Sequence, residues 1–334
     1  MITPAMIEPR NRDFEVVGAF NPGVAAFMGK TVLLVRVAER VKADARFAYV
    51  PIVENGKIKT LKIDRSDGDY DFSDPRLIVG KGGKLLTSMS RLVVAESADG
   101  VNFEIFPERG IFPETEYEEY GVEDPRVTEI DGTYYITYTA VSGKGVCVAL
   151  AVTEDFRAFE KKGVVLCPDN KDAAIFPEKI GGKFYMLHRP SRSEFARPEM
   201  WIAESDNLTQ WGNHRRVLAT REGDWDGVRL GSSSTPIKTE GGWLVLYHGA
   251  DRNDRYCLGA VLLDLRNPHI VLKRSAKPFL EPVLPYEKNG FFGGVVFACG
   301  CLRDGGRLRI YYGAADDKVC RADADISGLL GAMG

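Results

Sequence analysis

The chain has 334 residues, 44% hydrophobic and 27% charged, with a formal net charge of −3. That balance describes a globular protein able to bury a large core. It excludes global attraction to nucleic acid or anionic membrane, so any basic cluster needs a local explanation.

Along the chain one pattern recurs: an apolar opening, a Gly-centred turn, an alternating strand, then a further strand ending in a polar turn. The first copy runs from Phe20 to Glu39 and turns at Met28-Gly29-Lys30. The second spans Asp74 to Phe106 and turns at Gly80-Lys81-Gly82-Gly83. The third spans Asp124 to Phe159 with Asp131-Gly132 at the turn, and the fourth runs from Phe176 to Trp211 through Gly181-Gly182-Lys183. A fifth starts at Thr235 and turns at Glu240-Gly241-Gly242; the last starts near Val295 and turns at Asp304-Gly305-Gly306. Alternation broken by Gly turns predicts hairpins. Repetition every 50 to 60 residues, about four short strands each, predicts an all-β chain built as a β-propeller, a single domain over 1–334. The repeats allow six blades, or five if the terminal segments complete one between them.

In a propeller the innermost strands converge on a central funnel, so the openings of the repeats are the place to look for chemistry. They hold Asn21, Asp74, Asp124, Asn170-Lys171-Asp172, Ser232 to Thr235 and Gly293-Gly294. Asp124 stands out: Glu123 precedes it, and Tyr117-Glu118-Glu119-Tyr120 lie just upstream. Carboxylates bind sugar hydroxyls, aromatic faces stack on sugar rings, and a carboxylic acid can protonate a glycosidic oxygen. The alternative is that Asp74-Pro75-Arg76 and Asp124-Pro125-Arg126 both cap blade turns. Asp74 is most simply the blade-building copy.

A second constellation is basic. His188 and Arg189 follow one aromatic strand, Tyr247 and His248 end another, and Arg36 and Arg91 hold similar positions in earlier repeats. Several cations aimed at one region need an anion, and Arg matches phosphate with its planar fork. The alternative is that each pairs with a carboxylate of a neighbouring blade. A third constellation, Tyr311-Tyr312-Gly313-Ala314-Ala315-Asp316-Asp317, puts two carboxylates after an aromatic strand. No metalloprotease, serine-hydrolase, nucleotide-loop or dinucleotide motif occurs. The six cysteines (Cys147, Cys167, Cys257, Cys299, Cys301, Cys320) have no zinc-ligand spacing and suggest free thiols in a reducing compartment. The N-terminal residues lack a signal-peptide layout, and no apolar run nears the roughly 20 residues of a membrane span. A cytoplasmic location, no metal and no membrane or nucleic-acid partner are expected.

Several segments together resemble glycoside hydrolase family 130, the mannoside phosphorylases and related β-mannosidases. They are Gly18-Ala19-Phe20-Asn21-Pro22-Gly23-Val24, Leu34-Val35-Arg36-Val37-Ala38-Glu39, Glu123-Asp124-Pro125-Arg126-Val127 and Phe176-Pro177-Glu178-Lys179-Ile180. Leu187-His188-Arg189-Pro190, Gly241 to Gly249 and Tyr311 to Asp316 complete the set. The resemblance implies a five-bladed propeller and one catalytic acid, Asp124, protonated near neutral pH. It implies a phosphate pocket from Arg189, His248, Arg229 and Tyr247, with Arg229 standing where the family usually has Lys. Substrate contacts would come from Asn21, Arg36, Arg91, Glu123, Asn170, Lys171, His188 and Asp316, and acceptor subsites from loops at 194–199 and 251–256. The implied reaction is a glycosyltransferase-type phosphorolysis: inorganic phosphate, a co-substrate and not a bound cofactor, inverts a β-mannoside to α-mannose 1-phosphate. The N-terminal motifs look most like members acting on β-1,2-mannobiose or β-1,2-oligomannan. A β-mannoside hydrolase, a phosphorylase of β-1,4-mannosyl-glucose or mannosyl-N-acetylglucosamine, and a non-catalytic sugar-binding propeller are the alternatives. The expected partners are small molecules, a mannoside and phosphate; homo-oligomerisation is open.

Overall fold

In the computed structural model, which describes residues 1–191 and 193–333, nearly every apolar run is a strand. β1 (Phe14–Phe27) and β2 (Lys30–Val41) form the hairpin expected at Met28-Gly29. The chain then leaves this sheet. β3 (Phe47–Glu54) and β4 (Lys57–Asp64) make a ribbon, and β5 (Tyr70–Asp71), β6 (Leu77–Gly80) and β7 (Gly83–Leu86) make a small sheet of their own. It returns as β8 (Met89–Ser97), which pairs with β2, and β9 (Glu104–Ile111), which pairs with β8.

The first two sequence repeats are therefore one sheet interrupted by an excursion. Leu92, Val93, Val94 and Ala95 decide this, because only pairing with β2 removes all four from water. At roughly 1.5–3 kcal/mol for each fully buried large aliphatic side chain, that outweighs a local hairpin. Asp74 sits on the excursion, where both its oxygens take hydrogen bonds from Arg76. It is not a blade-building counterpart of Asp124.

The later repeats keep their order. The second unit is β10 (Gly121–Ile130), β11 (Thr133–Ser142), β12 (Gly145–Thr153) and β13 (Glu160–Leu166), joined to the first in one continuous sheet by a single parallel bridge between Gly121 and Ser90. The third is β14 (Asn170–Ile175), β15 (Phe184–Pro190), β16 (Met200–Ser205) and β17 (Gly212–Leu218). In the fourth, β18 (Arg229–Ser232) and β19 (Ile237–Thr239) both pair with β20 (Gly242–Ala250), followed by β21 (Tyr256–Leu263) and β22 (Val271–Arg274). The fifth is β23 (Val296–Asp304), β24 (Arg307–Ala314) and β25 (Lys318–Asp325), to which Ile2 adds a bridge at Val319.

A hydrophobic cluster lies between each sheet and the next. Leu34 and Val94 pack with Val122 and Ile136; Leu150 with Ile175 and Met186; Leu187 and Ile202 with Trp243 and Val245; Leu246 and Leu258 with Val296 and Ile310. The fifth sheet also packs on the first, through Tyr311 and Val319 against Val35 and Val93. The first strands of the sheets meet: β1 touches β10 and β23, β10 touches β14, and β14 touches β18.

Three of these first strands break register at the same place. The breaks fall between Phe20 and Gly23, Glu123 and Arg126, and Lys171 and Ala174. Each bulge turns on one left-handed residue: Asn21 (φ 45°), Asp124 (φ 47°) and Asp172 (φ 54°). Asn and Asp tolerate this region better than other non-glycine residues, and a bulge re-aims its side chain out of the ladder. The expectation of an all-β chain is met. No described helix is long and apolar enough to cross a membrane.

Candidate active site

The three bulges bring Asn21, Asp124 and Asp172 to the convergence of the first strands. Asp124 is buried; its Oδ1 accepts from Asn21 Nδ2 at 2.9 Å and from Arg36 Nη1 at 3.0 Å. Arg36 comes from β2, donates Nη2 to Glu123 Oε1 at 2.7 Å and Nε to Ser90 at 3.0 Å, and lies over the Phe20 ring. Asn21 can approach only because residue 313 is glycine; a Cβ there would fall 2.1 Å from Asn21 Oδ1.

Burial alone would raise the Asp124 carboxyl, but Arg36, Lys171, Arg126 and the Asn21 hydrogen bond outweigh it and hold it below the usual carboxylate range. The free protein thus carries Asp124 ionised, unlike the protonated acid the resemblance implies. The reason is the cation density around it. Asp316, following β24, behaves oppositely: burial, opposed by Arg36 and reinforced by Asp124 and Glu123, pushes it up to about 7.

Asp172 is the site residue sequence reasoning left unassigned. Its side chain has no exposure, and Oδ1 accepts from Arg126 Nη2 at 3.2 Å while Oδ2 accepts from Arg189 Nε at 2.5 Å. His248 Nε2 lies 3.3 Å from the same Oδ2, out of line for a hydrogen bond. Although burial would raise the Asp172 carboxyl, Arg189, His248 and Arg126 hold it well below the usual range. The repeated left-handed bulge was the available signal, since Asn21-Pro22, Asp124-Pro125 and Asp172-Ala173 each precede an apolar strand. Arg126 runs beneath all of this, fully buried, donating to the Asp124 backbone oxygen and to the carbonyl of Ser232.

Beside these carboxylates opens a cavity of about 730 Å³ lined by Lys171, Arg189, Arg197, Arg229, Arg252 and Arg255, with Glu222, Asp224 and Asp251 as the acidic members. Its rim includes Pro198 and Tyr256 from the two loops expected to form acceptor subsites. Arg229 is engaged: Nη2 donates to Asp254 at 2.6 Å and Nη1 to the Tyr256 hydroxyl at 2.9 Å.

Five expected site residues stand elsewhere or act otherwise. Arg91 lies on β8 facing away from Arg36, buried with Glu39 and donating to the carbonyls of Glu8 and Pro107. Strand alternation explains it, since Ser90 and not Arg91 faces Arg36. Tyr247 points into the core opposite His248, stacked on Trp225, with its hydroxyl donating to Asp226 and accepting from Arg274. His188 likewise faces away from Arg189, against Asn170 Oδ1 at 3.1 Å and His214 at 3.0 Å. Burial, with His214 adding, lowers its pKa to about 3. Asn170 thereby serves the sheet that β14 opens. His248 is fully buried behind Asp172, with the Phe297 ring 4.3 Å away, and burial outweighs Asp172 to lower its pKa to about 4. It is a neutral support at pH 7, not a cation. Lys171, Arg189 and Arg229 remain on the cavity, and Asn21, Arg36, Glu123 and Asp316 surround Asp124.

The six cysteines are unpaired, Cys299 among them at the floor beside Arg126, where burial raises its thiol. Among the described residues no group of His, Cys, Asp or Glu converges as a metal site requires.

An all-β chain that gathers buried carboxyl groups, a carboxylate-bound Arg and a basic cavity has the equipment of a carbohydrate-active enzyme. The model of glycoside hydrolase family 130, described as β-1,4-mannooligosaccharide phosphorylase, matches residues 76–333, and the chain belongs to this family. It is 47% identical to the β-1,2-mannobiose phosphorylase of Listeria innocua serovar 6a over 99% of this chain and 95% of that one. It is 39% identical to the 1,2-β-oligomannan phosphorylase of Thermoanaerobacter sp. strain X514 over 87% of this chain and 93% of that one. The solved structure of the Listeria innocua enzyme with β-1,2-mannobiose superposes with a TM-score of 0.96 at 46% identity, covering 99% of this chain and 96% of that chain.

Proposed function

We propose that this enzyme is a five-bladed β-propeller catalysing inverting phosphorolysis of β-1,2-mannobiose or short β-1,2-oligomannan. The observation that carries the reading is a basic cavity bordered by Lys171 and Arg189, with Lys171 close enough to Asp124 to depress its carboxyl. Hydrolysis would call for a second carboxylate to activate water, whereas phosphate arrives already anionic. The propeller reading is supported by five strand units, the first two joined by one parallel bridge, with a core cluster between each neighbouring pair, the fifth and first included. The family model carries a β-1,4 description, but both relatives named above act on β-1,2-linked mannose, and the identity to them spans most of the chain.

In the reaction a phosphate oxygen bonds to the anomeric carbon from the face opposite the leaving group, and the glycosidic C–O bond breaks. Asp124 supplies the proton that the leaving oxygen acquires, relayed by a substrate hydroxyl. Phosphate HPO₄²⁻ loses its own proton on becoming an ester, so the enzyme's proton is restored each cycle. The ionised Asp124 of the free protein fits this if phosphate binds first. A dianion beside Lys171 and Arg189 offsets their charge, and the carboxyl rises towards protonation. Arg36 and Asn21 fix the carboxyl, and Glu123 holds Arg36.

Incubation with β-1,2-mannobiose with and without phosphate tests the reading. Equal amounts of mannose and α-mannose 1-phosphate, formed only with phosphate, are expected. Free mannose as sole product, released without phosphate, would assign the chain to hydrolysis instead.

A further inference from the structure

We infer that Asp172 is the positioning residue of the anion pocket, acting through Arg189. The inference rests on the phosphorylase reading and adds a role for a residue that touches no substrate. Asp172 takes Arg189 by Nε at 2.5 Å, and among the described residues neither Nη of Arg189 has a protein partner. Bonded on one edge only, the guanidinium keeps its other edge for the cavity it lines. Asp172 is itself held in place, carboxylate and backbone both. Arg126 of β10 bonds Oδ1, the Ser232 hydroxyl donates to the Asp172 carbonyl at 2.6 Å, and Gly231 leaves the space that Oδ2 occupies. A pinned Arg189 loses little side-chain freedom when an oxyanion docks, which favours binding and correct aim.

Charge alone predicts the opposite sign, which makes the inference testable. Asp172→Asn removes a negative charge next to Arg189; if the carboxylate merely diluted the pocket's potential, phosphate would bind more tightly. If Asp172 aims the fork, the phosphate KM rises at least tenfold, while the mannoside KM stays within about threefold of wild type. Gly231→Ala is the second probe, because its Cβ would fall 2.5 Å from Asp172 Oδ2 and displace the carboxylate with its charge intact. It is expected to reproduce the selective phosphate defect, and it decides the question if Asp172→Asn does not fold.

The assay measures both KM values and kcat for each variant, with Arg189→Lys and the double variant Asp172→Asn/Arg189→Lys alongside. Because the two side chains act as one unit, the double variant should be no worse than about threefold beyond the poorer single. A lower or unchanged phosphate KM, equal shifts in both KM values, or multiplicative losses in the double variant overturns the inference. Wild-type enzyme serves as the control for the underlying reading: if it needs no phosphate, the phosphorylase assignment fails; if it does, a negative result concerns Asp172 alone.

Discussion

Replacing Arg36 with Gln removes the one guanidinium that ties Asp124 to Glu123. In the wild type it sits 3.0 Å from Asp124 and 2.7 Å from Glu123, with 17% of its side chain exposed. Two unit charges about 4 Å apart at the effective dielectric of a protein site attract by roughly 4 kcal/mol. Breaking such a buried pair by losing one partner costs about 3–5 kcal/mol, because the other charges remain without compensation. Unfolding entropy of about 2.1 cal/mol/K per residue converts that, for a chain of this length, to a Tm lower by roughly 4–7 °C. The pH dependence follows from the sign of the Asp124 shift. Its carboxyl is depressed in the folded protein, so its contribution is present above the unfolded value near 4 and lost as pH falls through the folded value. Arg36→Gln forfeits that contribution, so the gap between variant and wild type should hold from pH 8 down to about pH 4.5 and narrow only below about pH 4, as the wild-type carboxyl protonates. Differential scanning calorimetry across that range reads it directly. A gap below about 2 °C at pH 8, or one still undiminished when the scans are extended to pH 3, would refute the electrostatic account.

Three further substitutions separate chemistry from scaffold. Asp124→Asn should lower kcat by at least about 10³-fold, near the upper part of the range for a general acid, with mannoside KM little changed; steady-state kinetics measure it, and activity above a tenth of wild type would remove Asp124 from the chemistry. Asp316 titrates in the opposite sense to Asp124: with its carboxyl pushed up to about 7, its contribution is complete below the unfolded value near 4 and lost as pH rises through 7. Asp316→Asn should therefore flatten the fall in Tm between pH 5 and 8, and an unchanged slope would contradict the raised carboxyl. Tyr247→Phe loses the hydroxyl that donates to Asp226 and accepts from Arg274, in a core with no cavity access. It should cost about 1–3 kcal/mol of stability, seen by denaturant titration, and leave the phosphate KM unchanged; a selective rise in that KM would return Tyr247 to the pocket.

Strand and turn positions were legible because they depend on local chemistry: alternating Tyr and Ile in 133–139, Asp-Gly at the turn, and a repeat length that demands stacked sheets. The repeat count misled at Asp74 to Phe106. A Gly-rich turn looks the same in a blade and in an excursion, and only the pairing of β8 with β2 across the inserted segment distinguishes them. Side-chain direction was the second blind spot. His188 and Arg189 are adjacent, as are Tyr247 and His248, and strand alternation sends one of each pair away from the site.

By itself the sequence pointed to the all-β class and singled out Asp124 and Arg189 by residue type and repetition, while the acid role of Asp124 and the basic residues Lys171 and Arg229 came from the family resemblance. Only the tertiary structure decided which carboxylate answers which cation. Asp172 meets Arg126, Arg189 and His248 from three different strands, and that convergence depends on how separate sheets are set against one another. It depends also on burial, which neutralises His248, lifts Asp316 and, outweighed by the surrounding cations, leaves Asp124 ionised. Charge state belongs to the assembled site because desolvation and Coulomb energy exist only once the strands have come together.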